Sequence, residues 1–205
     1  YADLAKAYLN ITDASAAELD RLYVDGNGAV TIRNSVLTAN SITLADGSSL
    51  TLDTAATVTV GALAVTGTIN ASSIDKRIIS VKAASKIKAD SIVNSNVIYM
   101  IDEDTYLEAE NIQLTDEVAG KVALQLYDGA TAVIRDTITV GKGTELLISG
   151  SNLGACSVIA KNVIHNGEMT ICGWSELTAE NITVSAGAKI GGMSGSMITV
   201  TNSLV

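Results

Sequence analysis

The hexapeptide Ala39-Asn-Ser-Ile-Thr-Leu44 recurs, with substitutions, along most of this chain of 205 residues. Each clear copy has a short polar residue just before a central aliphatic residue, and an aliphatic residue one or two positions later. The central residues are Ile42, Leu63, Ile92, Ile112, Ile138, Val163, Ile182 and Ile198, of which Leu63 and Ile198 belong to weaker copies. They recur at a mean interval of roughly 22 residues, which is in the range of solenoid repeats.

Around these copies, aliphatic residues alternate with threonine in runs such as Val30-Thr-Ile32, Leu50-Thr-Leu52 and Val58-Thr-Val60. A period of two residues indicates strands that bury one face. At Gly61-Ala62 the alternation slips by one residue, which predicts a corner where one strand ends and another begins. The polar residues before each central aliphatic residue are expected at similar corners, where their side chains can bond to exposed backbone groups.

Such short strands cannot bury an apolar face alone, but stacked coils can. If coils lie about 4.8 Å apart, each strand pairs in parallel with its copies, and the inward side chains form continuous columns. The chain has no Phe and 3% aromatic residues, so Val, Ile, Leu and Ala must form the core. It also has no Pro, as expected where almost every N–H belongs to a ladder.

We therefore predict an all-β fold, a parallel β-helix (β-solenoid) of roughly eight coils over residues 29–205. The alternative is an antiparallel β-sandwich, because Asp46-Gly47, Asp128-Gly129 and Asn166-Gly167 are hairpin signals.

The first 28 residues differ from the rest. Leu4, Tyr8, Leu19 and Leu22 have helix-like separations, and Ser15 with Glu18 fits a capping box. This pattern predicts a helix over residues 15–23, ending before the turn-forming residues 25–28. We expect residues 1–28 to form a helical cap or connector and residues 29–205 to form the solenoid.

The runs Val58–Asn70 and Ala179–Ile190 resemble the passenger regions of bacterial autotransporters and adhesins. The resemblance covers about residues 30–205 and rests on composition and loose repeats. It implies a right-handed parallel β-helix at the cell surface or outside the cell, and it carries no catalytic motif. Because the chain starts at Tyr1 and stops just after a repeat-like strand at 197–200, we expect further coils in a longer parent protein.

Charge and composition exclude several classes of protein. A net charge of −9 argues against a nucleic-acid partner, which needs a basic face. The charge-free run Thr54–Ile74 is too rich in polar residues for a membrane-spanning helix. Cys156 and Cys172 match no zinc motif, and free thiols are favoured over a single disulfide.

Two groups are candidate sites. The acids Asp102, Asp104, Glu108 and Glu110 could bind Ca²⁺, which prefers several oxygen ligands. The alternative is a solvated surface, because the basic residues Lys76, Arg77, Lys82, Lys86 and Lys88 precede these acids by about one coil and would form ion pairs with them. The other candidate is Trp174, which could form a sugar-stacking platform with Tyr127 or could simply cover a coil edge.

Catalysis is not expected. The single histidine, His165, comes just before Asn166-Gly167, which predicts a histidine at the edge of a turn, and there is no G-x-S-x-G motif. No Gly-His-Gly segment, typical of some polysaccharide-degrading β-helices, occurs either. We expect a non-catalytic, extracellular bacterial rod, adhesin-like or a stalk, with a glycan or a matrix protein as its partner. A β-helix that binds or degrades polysaccharide is the alternative.

Overall fold

Strands account for nearly all regular structure in this protein. The computed structural model describes residues 2–5, 8–25, 28–45, 48–53, 56–65, 68–72, 86–94, 97–101, 105–115, 122–151, 154–193 and 195–205. These residues form no helix and the following strands: β1 (Ala2–Ala5), β2 (Tyr8–Ile11), β3 (Ala16–Asp25), β4 (Ala29–Arg33), β5 (Val36–Leu44), β6 (Ser49–Asp53), β7 (Thr57–Val65), β8 (Thr68–Ser72), β9 (Lys86–Asn94), β10 (Val97–Ile101), β11 (Tyr106–Leu114), β12 (Val122–Tyr127), β13 (Thr131–Val140), β14 (Thr144–Ser149), β15 (Ser157–His165), β16 (Glu168–Cys172), β17 (Glu176–Val184), β18 (Lys189–Gly192) and β19 (Met197–Leu204).

The strands form two sheets in which neighbours are always one coil apart. Odd-numbered strands form one sheet in the order β1-β3-β5 through β19, and even-numbered strands form the other in the order β2-β4-β6 through β18. Every pairing between these strands is parallel, as in the neighbours β5 and β7 and β12 and β14. The fold is therefore a β-solenoid, as predicted, and the β-sandwich alternative is wrong.

The odd-numbered strands bend near their middle. In β5, Leu37 and Ala39 face the core, Asn40 and Ser41 do not, and Ile42 and Leu44 face the core again. The pairing between β5 and β7 passes over Asn40 and Gly61, so the predicted corner at Gly61-Ala62 falls where the ladder is interrupted. Two consecutive residues outside the core shift the inward alternation by one residue, but the strand continues, so the predicted start of a new strand at Gly61-Ala62 is wrong.

The predicted column of central aliphatic residues exists and is longer than expected. Register places Ile42, Leu63, Ile92, Ile112, Ile138, Val163 and Ile182 on successive coils. The prediction is wrong at the last copy, because Ile198 pairs with Leu177 and Leu204 takes the place beside Ile182. At the other end, Leu22 pairs with Ile42 and extends the column into the first 28 residues.

The predicted helix over residues 15–23 is also wrong. These residues belong almost entirely to β3, which pairs with β1 and β5. Leu22 and Val24 are buried and Leu19 packs against the core, so the apolar residues follow the strand pattern of β5. The described strands of residues 1–28 thus continue both sheets of the solenoid.

Aliphatic side chains fill the interior. The core consists of Ile, Leu, Val and Ala, together with Met100, Met169 and Cys156. The predicted hairpin signals Asp128-Gly129 and Asn166-Gly167 instead connect a strand of one sheet to a strand of the other, the first as a turn and the second as a bend, while Asp46-Gly47 lies outside the described residues. In the part of the chain that is described, no helix has the length and apolar character needed to cross a membrane.

Candidate functional site

The corners of the long strands carry a ladder of polar side chains. Asn162 Nδ2 donates to Asp136 Oδ1 at 3.1 Å, and Asn181 Nδ2 donates to Asn162 Oδ1 at 2.9 Å. Asn202 Nδ2 continues the ladder with a 2.7 Å bond to Asn181 Oδ1. The predicted bond from a corner side chain to the backbone occurs at Asn111, whose Oδ1 accepts from the N–H of Thr137 at 3.3 Å. These corner side chains therefore join coils mainly by bonding to one another.

A charged cluster lies on the outer face of the sheet of long strands, around Glu108. Glu108 pairs in register with Lys88 on the preceding coil, and its Oε2 lies 3.2 Å from Lys88 Nζ. Its Oε1 accepts a short hydrogen bond from Arg135 on the next coil. The pKa of Glu108 is lowered, chiefly by the hydrogen bond from Lys88. Burial opposes this effect, and the hydrogen bond and positive charge of Arg135 lower the pKa further. One carboxylate thus bridges two cations, on the coils before and after it, and the cross-coil ion pair predicted for Lys88 is present.

Arg135 was not predicted to belong to this cluster. The sequence repeat aligns Arg135 with Ala109 and Ala160, but the register places Ile134 beside both of those alanines. Arg135 lies in an irregularity where β13 has one more residue than its neighbours. Its side chain is 63% exposed and reaches back to Glu108. In the sequence, an arginine at a repeat position otherwise occupied by alanine was the signal that β13 has an added residue.

The predicted Ca²⁺ site gains no support at its described positions. Asp102 and Asp104 lie outside the described residues, and Glu110 is an exposed corner residue. Glu108 already has an ammonium and a guanidinium as partners, and both would repel a cation. A shallow groove of about 190 Å³ is lined by the acids Asp90, Glu108 and Glu110 along with Lys88 and Arg135. Among the described residues, no three His, Cys, Asp or Glu side chains are grouped so that they could bind a metal ion.

Trp174 lies in the turn between β16 and β17, and 70% of its surface is exposed. Gly173 and Trp174 both have φ of +64°, the left-handed region that bulky residues rarely adopt. A side chain at Gly173 would overlap the carbonyl of Gly150, so only glycine fits there. On the other side, Ser175 is fully buried, and its Oγ accepts from the N–H groups of Gly150 and Cys156 at 2.8 and 3.0 Å. The backbone of Trp174 is thus held between two anchored residues.

The indole ring of Trp174 packs against Gly195, in the turn one coil further on. A Cβ atom at Gly195 would overlap the ring, so this glycine provides the space that the indole occupies. Tyr127, the predicted second half of a platform, lies on β12 in register with Ser149, which in turn pairs with Cys172. Tyr127 is therefore separated by β14 from the strand that leads to Trp174, and its hydroxyl donates to Gln125 Oε1 at 2.8 Å.

His165 and the two cysteines belong to the scaffold. His165 ends β15 but is fully buried between Val140 and Val184 in the ladder, so it faces the core rather than a turn edge. Its Nε2 lies 2.9 Å from the carbonyl oxygen of Lys189. Both cysteines are free, as favoured from the sequence. Burial raises the pKa of the Cys156 thiol, which keeps it protonated and unreactive.

Searches against profiles of protein families, curated proteins and solved structures found no match to this chain. The geometry thus defines a solenoid with two surface features on which a partner could act. One is a groove around Glu108 that is lined by charges of both signs, and the other is an exposed, firmly held indole at Trp174.

Proposed function

We propose that this chain is a non-catalytic rod segment of an extracellular bacterial surface protein, adhesin-like or acting as a stalk. The observation that carries the proposal is the parallel pairing of each strand with the strands one coil before and after it in both sheets. At about 4.8 Å per strand, such a stack extends on the order of 45 Å. Its hydrogen bonds run along the stacking axis, which suits a support that holds a binding surface away from a cell.

The outer surface supports the same role. It carries exposed polar side chains such as Thr38, Asn40 and Thr183 and the Glu108 cluster, beside exposed aliphatic side chains such as Ile159 and Ile164. A mixed surface of this kind can contact a glycan or a matrix protein without a deep cavity. The resemblance to autotransporter and adhesin passenger regions adds the expected location outside the cell.

Binding to arrays of glycans and extracellular-matrix proteins tests this function, with Ca²⁺ and with a chelator. The adhesin form of the proposal predicts selective binding to one class of ligand. Loss of binding with the chelator would indicate a Ca²⁺ requirement, whereas unchanged binding would indicate that binding does not depend on the ion. Silence in both conditions would overturn the adhesive role and leave a stalk.

A second function, binding or degradation of polysaccharide, is favoured by Trp174. An aromatic ring that is 70% exposed on a rigid turn offers a flat surface to a sugar. Release of reducing ends from a soluble polysaccharide during incubation would identify a degrading enzyme. Retention on the same polysaccharide in affinity electrophoresis, without such release, would identify a binding protein.

A further inference from the structure

Trp174 occupies a backbone position that favours another residue type. Two coils earlier, the equivalent turn has Asp128 and Gly129, with φ of +54° and +101°. The equivalence follows from the register, because Tyr127, Ser149 and Cys172 stand side by side just before these turns. Gly129 thus occupies the place that Trp174 takes two coils later. A glycine or asparagine would fit there without strain.

Packing alone gives a weak reason for a tryptophan at this position. The side chain rests on Gly195, but 70% of the residue stays exposed, so only about three-tenths of its surface gains contact. Strained backbone conformations persist where the surrounding structure enforces them, and they are concentrated at binding sites. The strain therefore points to a use of the exposed face of the ring.

The surroundings of Trp174 indicate the chemistry of its ligand. Among the described residues of its own turn and of the two adjoining turns (150–151, 154–156, 173–175, 193 and 195–196), no side chain is charged. Glu176, the nearest acid along the chain, starts β17 half-buried, and its Oε1 accepts from Ser157 Oγ at 3.3 Å. Hydroxyl groups are present instead, at Ser151 and Ser196 in the adjoining turns. An uncharged surface with hydroxyl groups beside an aromatic face suits a neutral sugar, whose C–H groups are attracted to the negative face of the ring.

We propose that Trp174 is a sugar-stacking contact for an uncharged glycan, with Gly195 holding the indole in place. This inference rests on the proposed surface function and names the ligand class of one of its faces. A caged quaternary ammonium group is disfavoured because aromatic cages use several rings, and Tyr127, the ring predicted to lie beside Trp174, is separated by β14 from the strand that leads to Trp174.

The single tryptophan makes a direct test simple, because all indole fluorescence comes from the proposed site. The wild-type chain is titrated with chitohexaose, cellohexaose, laminarihexaose and mannohexaose. We expect a saturable change in emission with at least one of them. In calorimetry with that glycan, Trp174→Gly should weaken binding at least tenfold, and Trp174→Tyr should retain most of it.

Two controls separate recognition from folding. Tyr8→Ala removes the other strongly exposed aromatic residue of the described part of the chain, 78% exposed on the strand at the far edge of its sheet, and should change the affinity less than twofold. Trp174→Gly should melt at the same temperature as the wild type or higher, because glycine removes the backbone strain. Trp174→Asn provides a second variant compatible with the turn.

Several outcomes would overturn the proposal. If Trp174→Gly and Trp174→Asn both fail to fold, the ring is a structural cover. If the wild type binds a glycan on the arrays but neither indole emission nor the affinity of Trp174→Gly changes, the site is elsewhere and the surface function stands. If the wild type binds nothing in any format, both this site and the adhesive function fall.

Discussion

Asn181 donates a hydrogen bond from Nδ2 to Oδ1 of Asn162, which lies 2.9 Å away on the preceding coil. Its own Oδ1 accepts from Asn202 Nδ2 and Ser203 Oγ, at 2.7 and 2.9 Å. The backbone pairing between β15 and β17 passes over one residue at this corner. Side chains thus join three coils where the backbone ladder is interrupted.

Replacing Asn181 by alanine should therefore lower the free energy of unfolding by about 2–3 kcal/mol, since it removes three neutral hydrogen bonds that contribute about 1 kcal/mol each. Urea denaturation of the purified chain measures this loss. Asn10→Ala, at an exposed position of β2, is the matched control and should stay within about 0.5 kcal/mol of the wild type. Equal effects of the two substitutions would contradict a role for the ladder.

The Glu108 cluster predicts a dependence of stability on pH. Lys88 and Arg135 lower the pKa of Glu108 from its ordinary value of 4.5. Its contribution to stability is thus fully present above about pH 4.5 and is lost as the pH falls through the lowered pKa. Glu108→Gln should cost less than about 1 kcal/mol at pH 7, and the difference from wild type should shrink at pH 3 or in high salt. Melting curves under these conditions measure the difference, with Glu180→Gln as an exposed control. A difference between wild type and Glu108→Gln that grows in acid would refute the prediction.

Close approach of coils at one turn predicts unequal tolerance of two glycines. A Cβ atom at Gly167 would overlap the carbonyl oxygens of Gly141 and Thr144, whereas the nearest atoms to one at Gly191 would be 3.8 Å away. Gly167→Ala should therefore destabilise the chain by about 2 kcal/mol or more, because backbone must move. Gly191→Ala should change stability by no more than about 0.5 kcal/mol. Chemical denaturation of both variants compares them, and a tolerant Gly167 would mean that the turn adapts.

The aliphatic column predicts a large effect at Ile138. This side chain is fully buried between Ile112 and Val163, so Ile138→Ala should cost about 2–5 kcal/mol through lost burial and the cavity left behind. Ile164→Ala removes the same atoms from a side chain that is 40% exposed and should cost less than about 1 kcal/mol. A similar midpoint of unfolding for the two variants would show that the column is not the main source of stability.

The sequence predicts the solenoid because the alternation of apolar residues and the repeat both follow from the same coil. The prediction fails where a corner within a strand produces the residue spacing of a helix. Leu19 and Leu22 are three residues apart, a spacing typical of a helix face. In β3 this spacing arises because two consecutive residues at the corner, Asp20 and Arg21, lie outside the core. The spacing within residues 15–23 alone cannot distinguish a helix face from a strand with a corner, whereas alignment of Leu22 with Ile42 on the next coil can.

Added residues at corners explain the other errors. Ile138 follows the inward Ile134 by four positions, whereas Ile42 follows Ala39 by three. Strand β19 also has one added residue at its corner, so Leu204 follows Val200 by four positions. For this reason the sequence repeat identifies Ile198 rather than Leu204 as the central residue. Prediction of the candidate site from the sequence is limited for a related reason. An exposed Trp174 can be expected from its place in a turn, but its φ of +64° and its contact with Gly195 depend on packing between coils.

Register in this fold is independent of the length of chain between strands. Twenty-nine residues separate Leu63 from Ile92 and 20 separate Ile92 from Ile112, yet both pairs stand side by side. Mutation can therefore lengthen or diversify a connection without moving the strands it joins. Over evolutionary time, such a protein can change the residues that its connections expose while the spacing between its coils stays constant.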